Sequence, residues 1–147
     1  MIQTPTGRKV VFDTNVYVEA IHGGPDAQAY QLLLSVIPRT YLSAVVVQEL
    51  FAGALDTIGL KLVERFAHQA ERIGRIILPT YTNWKEAGRV LARISHREPA
   101  LRTRVPRLVN DVLLALSAKQ IGATLYTFNR RDFITISRYT KFVFEAL

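Results

Sequence analysis

The sequence contains no cysteine, which removes disulfide frameworks and thiolate-held zinc or iron–sulfur centres together. Histidine is nearly as scarce. His22, His68 and His96 are scattered, with nothing like the H-E-x-x-H spacing of a zinc site. A metal held by this chain must therefore be held by oxygen, which favours hard cations such as Mg²⁺ or Mn²⁺. Long unbroken apolar runs are missing too: Asp13, Glu49, Asp111 and Lys119 each interrupt one, so no transmembrane segment is expected. Arg8–Lys9 followed by VVF resembles the start of a leader peptide, but Asp13 ends that run too early. A soluble cytoplasmic protein with no membrane partner is the expectation. Acids are outnumbered, 12 Asp and Glu against 19 Lys and Arg, and the net charge of +7 favours a polyanionic partner.

What is present suits a compact fold. The chain of 147 residues is 49% hydrophobic and 21% charged, enough for one domain over residues 1–147 without staples. No internal repeat, low-complexity tract or linker divides it. Residues 9–12 read as a short buried strand and 15–21 as a helix stopped by Gly23–Gly24. A second helix is expected from a cap at Asp26, with Tyr30, Leu33, Leu34 and Ile37 on one face and Pro38 at its end. A strand at 39–42 follows, then a helix capped by Ser43. Residues 57–72 carry a helical stripe of Ile58, Leu62, Val63, Phe66, Ala70 and Ile73. A strand at 75–78, a helix from Trp84 to Arg97 and a loop at 98–106 lead to a helix at 107–121. Gly122 closes that helix as a left-handed cap. Strands at 123–127 and 141–144 complete a pattern of alternating strands and helices, which argues for α/β architecture with a mainly parallel sheet.

Four acids break local rules. Asp13 stands at the carboxyl end of the first strand, where open α/β sheets bind ligands. Glu49 shares a helix face with Val45, Val46 and Ala52. Asp111 opens the most apolar helix, and Asp132 follows the strand ATLYT. Each has a structural explanation by itself: a turn, a helix dipole, an arginine partner, or a cap for the helix starting FITI. Together they are costly unless paired or bound to a cation. If the first and fourth strands lie side by side, Asp13 comes near the 127–132 turn, and Glu49 and Asp111 can aim into the same crevice. A divalent cation would then relieve the repulsion.

Positive charge is concentrated just ahead of Asp111. Residues 89–107 hold Arg89, Arg93, Arg97, Arg102, Arg104 and Arg107 against one acid, Glu98. This is either a solvated helix face and loop, or a surface for a phosphate backbone, with Arg102, Arg104 and Arg107 nearest the acids.

Four stretches, VVFDTNVYVEA, YLSAVVVQELFAGA, VNDVLLALSAKQIGATLYT and TFNRRDF, resemble those of the PIN-domain nucleases in order and spacing. Within that family the likeness is to the VapC-type toxins of VapBC toxin–antitoxin pairs, over essentially the full length. The resemblance implies a three-layer α/β/α fold with about five mainly parallel strands, and metal-dependent cleavage of single-stranded RNA. It implies Asp13, Glu49 and Asp111 as core catalytic and metal-binding acids, with Asn129 or Asp132 as the fourth position. Thr14, Asn15 and Thr127 match small polar positions that support such a site. The implied cofactor is Mg²⁺ or Mn²⁺. The implied partners are RNA, such as a tRNA or rRNA, a VapB-type antitoxin and a second copy of the chain. Two other readings share the features: a PIN-like RNA-binding module without activity, and a phosphatase of the haloacid dehalogenase class. The phosphatase needs a second Asp two residues after the first, where this chain has Asn15.

Overall fold

Three consecutive apolar side chains can all be buried only in a sheet covered on both faces, and Val10, Val11 and Phe12 are at most 1% exposed. They form β1 (Val10–Phe12) in a computed structural model of the chain that describes residues 9–147. Arg8, half of the leader-like pair, lies outside the described residues. β1 pairs in parallel with β2 (Thr40–Ser43) on one side and β4 (Thr124–Thr127) on the other. β3 (Ile76–Ile77) extends the sheet beyond β2, and β5 (Phe144–Ala146) beyond β4. The order is therefore β3-β2-β1-β4-β5, all parallel.

Helices α1 (Thr14–Gly23) and α2 (Gln28–Ser35) join β1 to β2, and α3 (Ala44–Gly53) and α4 (Thr57–Arg72) join β2 to β3. The crossing back to β4 uses α5 (Tyr81–Arg97) and α6 (Val109–Gln120), and α7 (Arg130–Ser137) leads into β5. Right-handed crossovers in opposite directions from β1 place α1 to α4 on one face and α5 to α7 on the other. The packing agrees: α1 meets α2 and α3, α3 meets α4, and α6 meets α5 and α7. Strand order reverses between β1 and β4, which opens a crevice at their carboxyl ends.

The core is densest around α6, which is buried on all sides from Val112 to Ala118. That accounts for its lack of a polar face. Phe12 joins the layers, its ring 6.2 Å from Tyr17 and 5.9 Å from Tyr126. Ser43 is fully buried and its hydroxyl accepts from the Val45 N–H at 3.1 Å, so β2 passes directly into a capped α3. Gly122 has φ +70°, the left-handed turn that lets α6 feed β4. At Gly23 a Cβ would sit 2.5 Å from that of Ala27, so only glycine allows α1 to close against the α2 approach.

Several boundaries differ from those read in the sequence. Asp26 does not cap α2: the turn is closed by Ala27 N–H on Gly24 O, and the helix starts at Gln28 behind Ala27. α5 begins at Tyr81, because Thr80 and Asn83 form a reciprocal capping box that the reading from Trp84 passed over. The loop before α6 holds two short 3-10 turns, Pro99–Leu101 and Val105–Leu108, each with a proline in its first two positions. The last strand lies at 144–146 rather than 141–144, because Phe142 leaves the ladder and packs against Phe133 and Phe144 at 6.2 and 5.2 Å. In the α4 stripe Val63 is buried and Phe66 packs on Tyr17, whereas Ile58 and Ile73 near the ends are 75% and 52% exposed. No helix among the described residues is long and apolar enough to cross a membrane.

The Ser43 cap should be measurable. Ser43→Ala removes the only side-chain acceptor at the α3 start and should cost about 1 kcal/mol. Urea unfolding should show a lower midpoint at unchanged slope; an unmoved midpoint would mean the cap contributes nothing.

Candidate active site

β1 ends by placing Asp13 at the mouth of the β1/β4 crevice. Its backbone N–H continues the ladder onto Tyr126 O at 2.9 Å, and its side chain caps α1 by accepting from the Thr14 N–H at 2.8 Å. The other carboxylate oxygen accepts from Thr127 Oγ1 at 2.7 Å. Thr127 is wholly buried, and its hydroxyl also accepts from Asn129 N–H at 2.8 Å and Asn15 Nδ2 at 3.4 Å. With both acceptor positions filled, the one hydroxyl proton must point to Asp13. Asn15 in turn accepts from the Phe128 N–H at 3.2 Å, so its amide clamps the end of β4 to the start of α1.

Glu49 reaches the same region from α3, and Thr14 Oγ1 donates to its Oε1 at 2.7 Å. Asp111 enters from the first turn of α6. Its carboxyl is pushed up to about 8, first by burial and then by the charges of Asp13, Asp132 and Glu49. Burial also raises Asp13, opposed by the Thr127 and Thr14 hydrogen bonds and reinforced by Glu49. The four acids singled out in the sequence thus act on one another in space. Among the described residues the ion pairs are Arg89–Glu86, Arg93–Glu86, Arg104–Asp132 and Arg138–Glu98, and none neutralises Asp13, Glu49 or Asp111.

The donor set fits a hard divalent cation: every donor is oxygen, three of the acids lack a counter-charge among the described residues, and burial pushes Asp13 and Asp111 toward the neutral form, a cost that a cation would remove. Among the described residues no three of these side chains already form a closed metal cage. Glu49 is turned to Thr14 and Asp132 to Arg104. Asp13 and Asp111 are the acids best placed to hold such an ion, with Glu49 beside them.

Asn129 and Asp132, the two choices for a fourth position, are bonded to each other: Asn129 Nδ2 donates to Asp132 Oδ2 at 2.9 Å. Asn129 precedes α7 and Asp132 lies in its first turn, so the helix starts ahead of the FITI stretch that Asp132 was expected to cap. The arginines of 89–107 are less free than their number suggests. Glu86, just upstream, takes Arg89 at 3.6 Å and Arg93 at 3.0 Å, and Arg102 donates to Ser95 O at 2.9 Å. The Glu86 pairs lie at helical spacing and were open to a sequence reading. The Arg104–Asp132 pair joins residues 28 apart, and no local pattern announces it.

The PIN domain family model matches residues 10–139 of this chain. The chain belongs to the PIN domain family, whose members are generally nucleases. No curated protein sequence matches it. Similar solved structures include DNA-bound VapBC from Salmonella typhimurium, with a TM-score of 0.64 at 20% identity, covering 94% of this chain and 97% of that one. VapBC2 from Rickettsia felis, bound to a promoter DNA fragment, gives 0.61 at 21% identity, covering 94% and 98%. FitAcB from Neisseria gonorrhoeae gives 0.60 at 24% identity, covering 92% and 96%. At these identities the likeness establishes a shared fold over nearly the whole of each chain.

The carboxylate cluster predicts an unusual pH dependence. Asp111 ionises near 3.8 in an unfolded chain but keeps its proton to about pH 8 when folded. In that window the native state binds more protons than the unfolded state, so stability falls as pH rises. Thermal unfolding in EDTA should show a Tm that declines from about pH 5 to about pH 8 and flattens in Asp111→Asn. A wild-type Tm that is level over this range would count against the clustering.

Proposed function

We propose that this chain is a metal-dependent endoribonuclease acting as the toxin of a toxin–antitoxin pair. The observation that carries the catalytic reading is Asp111, acted on by three other acids and matched by no cation among the described residues, at the switch point of a PIN domain. A strongly basic chain with an acidic pocket is suited to a polyanionic substrate that needs a divalent cation to approach carboxylates.

In this reading Asp13 and Asp111 hold Mg²⁺ or Mn²⁺, directly or through water. Such an ion, when bound, lowers the pKa of water and neutralises charge on the phosphate and the leaving oxygen. Thr127 and the Thr14 N–H each fix one oxygen of Asp13, so its carboxylate is oriented before any ligand arrives. Glu49 has one oxygen on Thr14 and the other available to accept a proton from the attacking water. The water oxygen would bond to phosphorus, the P–O bond to the next ribose would break, and the departing oxygen would take its proton from solvent water to leave as a hydroxyl. Asn15, where a phosphatase of the dehalogenase class needs an acid, is engaged in the β4–α1 clamp instead.

The partner assignments draw on the same reading. The solved neighbours are VapBC and FitAcB assemblies, which supports an antitoxin partner here. A groove between α1, α3 and α4 borders Glu49 and is lined by Val18, Ile21, Leu55 and Ile58. Its apolar lining beside a carboxylate suits an antitoxin segment with apolar anchors and a basic residue. A homodimer and a cytoplasmic setting complete the proposal.

Incubating the chain with a mixed RNA pool and Mg²⁺ or Mn²⁺, then sequencing the fragment ends, tests activity, metal and target together. Cleavage should require the metal and fall at least a hundredfold in Asp13→Asn and Asp111→Asn, with both variants folded by circular dichroism. Full activity in either cleanly purified variant would falsify the assignment.

A further inference from the structure

Asp132 differs from the other three acids in having, among the described residues, a cation as a partner. Arg104 Nη2 donates to Oδ1 and Asn129 Nδ2 to Oδ2. Among the described residues, Asp13, Glu49 and Asp111 are approached by neutral hydroxyl or amide groups and by other acids, and by no cation. A cation seeking Asp132 would first have to displace a guanidinium, which none of the other three requires. The side chains of Asp132 and Arg104 are 17% and 30% exposed, so the pair is well shielded but not sealed.

The pair also connects two parts of the molecule. Arg104 lies between the two 3-10 turns of the arginine-rich segment, and Asp132 in the first turn of α7. From Asp132 a chain of hydrogen bonds continues through Asn129 and the Thr127 hydroxyl to Asp13. The position of Arg104 is thereby referred to the innermost carboxylate. A guanidinium carries five N–H donors in a rigid fork, and Asp132 engages only one of its terminal nitrogens. The rest of the fork suits a phosphate oxygen. Arg102 has its Nε on Ser95 O, which makes Arg104 the arginine of this segment tied to the acidic pocket.

We propose that Asp132 is not a metal ligand but the anchor of Arg104, whose guanidinium binds an RNA phosphate at the edge of the carboxylate pocket. The proposal rests on the RNA-cleavage reading and settles the fourth acidic position within it. Arg104 is the group that touches substrate, and Asp132 is a positioning residue acting through it.

Two binding measurements on the full chain separate these roles without using cleavage. RNA affinity is read in EDTA by the anisotropy of a labelled single-stranded oligoribonucleotide, across a salt series. Mn²⁺ affinity is read without RNA by electron paramagnetic resonance of the free ion. Arg104→Ala and Asp132→Asn should each weaken RNA binding about tenfold. The double variant should be no worse than Arg104→Ala alone, since both changes remove one contact. In Arg104→Ala the salt slope should shrink by about 0.7, the loss of one phosphate contact on a single strand. Mn²⁺ affinity of Asp132→Asn should stay within about twofold of the wild type, while Asp111→Asn loses it. If Asp132→Asn does not fold, Arg104→Lys substitutes a point charge for the fork and should still weaken RNA binding with Mn²⁺ affinity kept. Tenfold weaker Mn²⁺ binding in Asp132→Asn, or RNA binding unchanged in Arg104→Ala, overturns the proposal. Failure of Asp111→Asn to reduce Mn²⁺ binding instead sinks the metal-site reading and leaves the Arg104 anchor standing on the RNA measurements.

Discussion

The hydrogen bond from the Thr127 hydroxyl to Asp13 is the contact on which the site depends. It joins the ends of the two strands that flank the switch point, and it is set by the number of lone pairs on one oxygen. Because Asn129 and Asn15 both donate to that oxygen, the proton has a single destination. Asp13 is therefore held as an acceptor in a place where burial favours its neutral form. The parallel pairing of β1 with β4 brings these residues together, and the short turns after each strand leave them facing the crevice.

Much of this was legible in the sequence because the strongest signals were local. The apolar run ending at Asp13, the Ser43 cap, the featureless apolarity of α6 and Gly122 each fix one element without reference to any other. The side-by-side placement of β1 and β4 entered only as the condition for the acids to converge, and the structure meets that condition. Where the reading strayed, competing local chemistry was the cause. Asp26 has the right side chain for a cap but sits inside the turn that Gly24 and Ala27 close, one residue ahead of the N-cap position. The phenylalanines of KFVF looked like a strand, yet Phe142 gains more by packing on Phe133 than by staying in the ladder. The partners of the site acids were not readable at all. The contacts of Thr127 with Asp13 and of Arg104 with Asp132 span 114 and 28 residues, and only the folded chain brings them together.

The electrostatics divide the molecule into two regimes. On α5 Arg89 and Arg93 are balanced at short range by Glu86, in partly exposed pairs that contribute little to stability. In the crevice the opposite holds, with acids held close and, among the described residues, one of the four given a cation. The net charge of +7 therefore says little about where the positive potential is available. A count of arginines along the chain overstates the basic surface on α5, and it conceals that Arg104 is committed to the acidic side.

The sheet has one further consequence. Its edge strands, β3 and β5, are two and three residues long, and both lie beyond the strands that carry the site. Edges so short present few free backbone donors and acceptors, which discourages another chain from adding as an extra strand. Recognition of a protein partner is thereby left to side chains on the outer helices. Surfaces of that kind can be respecified by substitution without disturbing the backbone that holds the carboxylates.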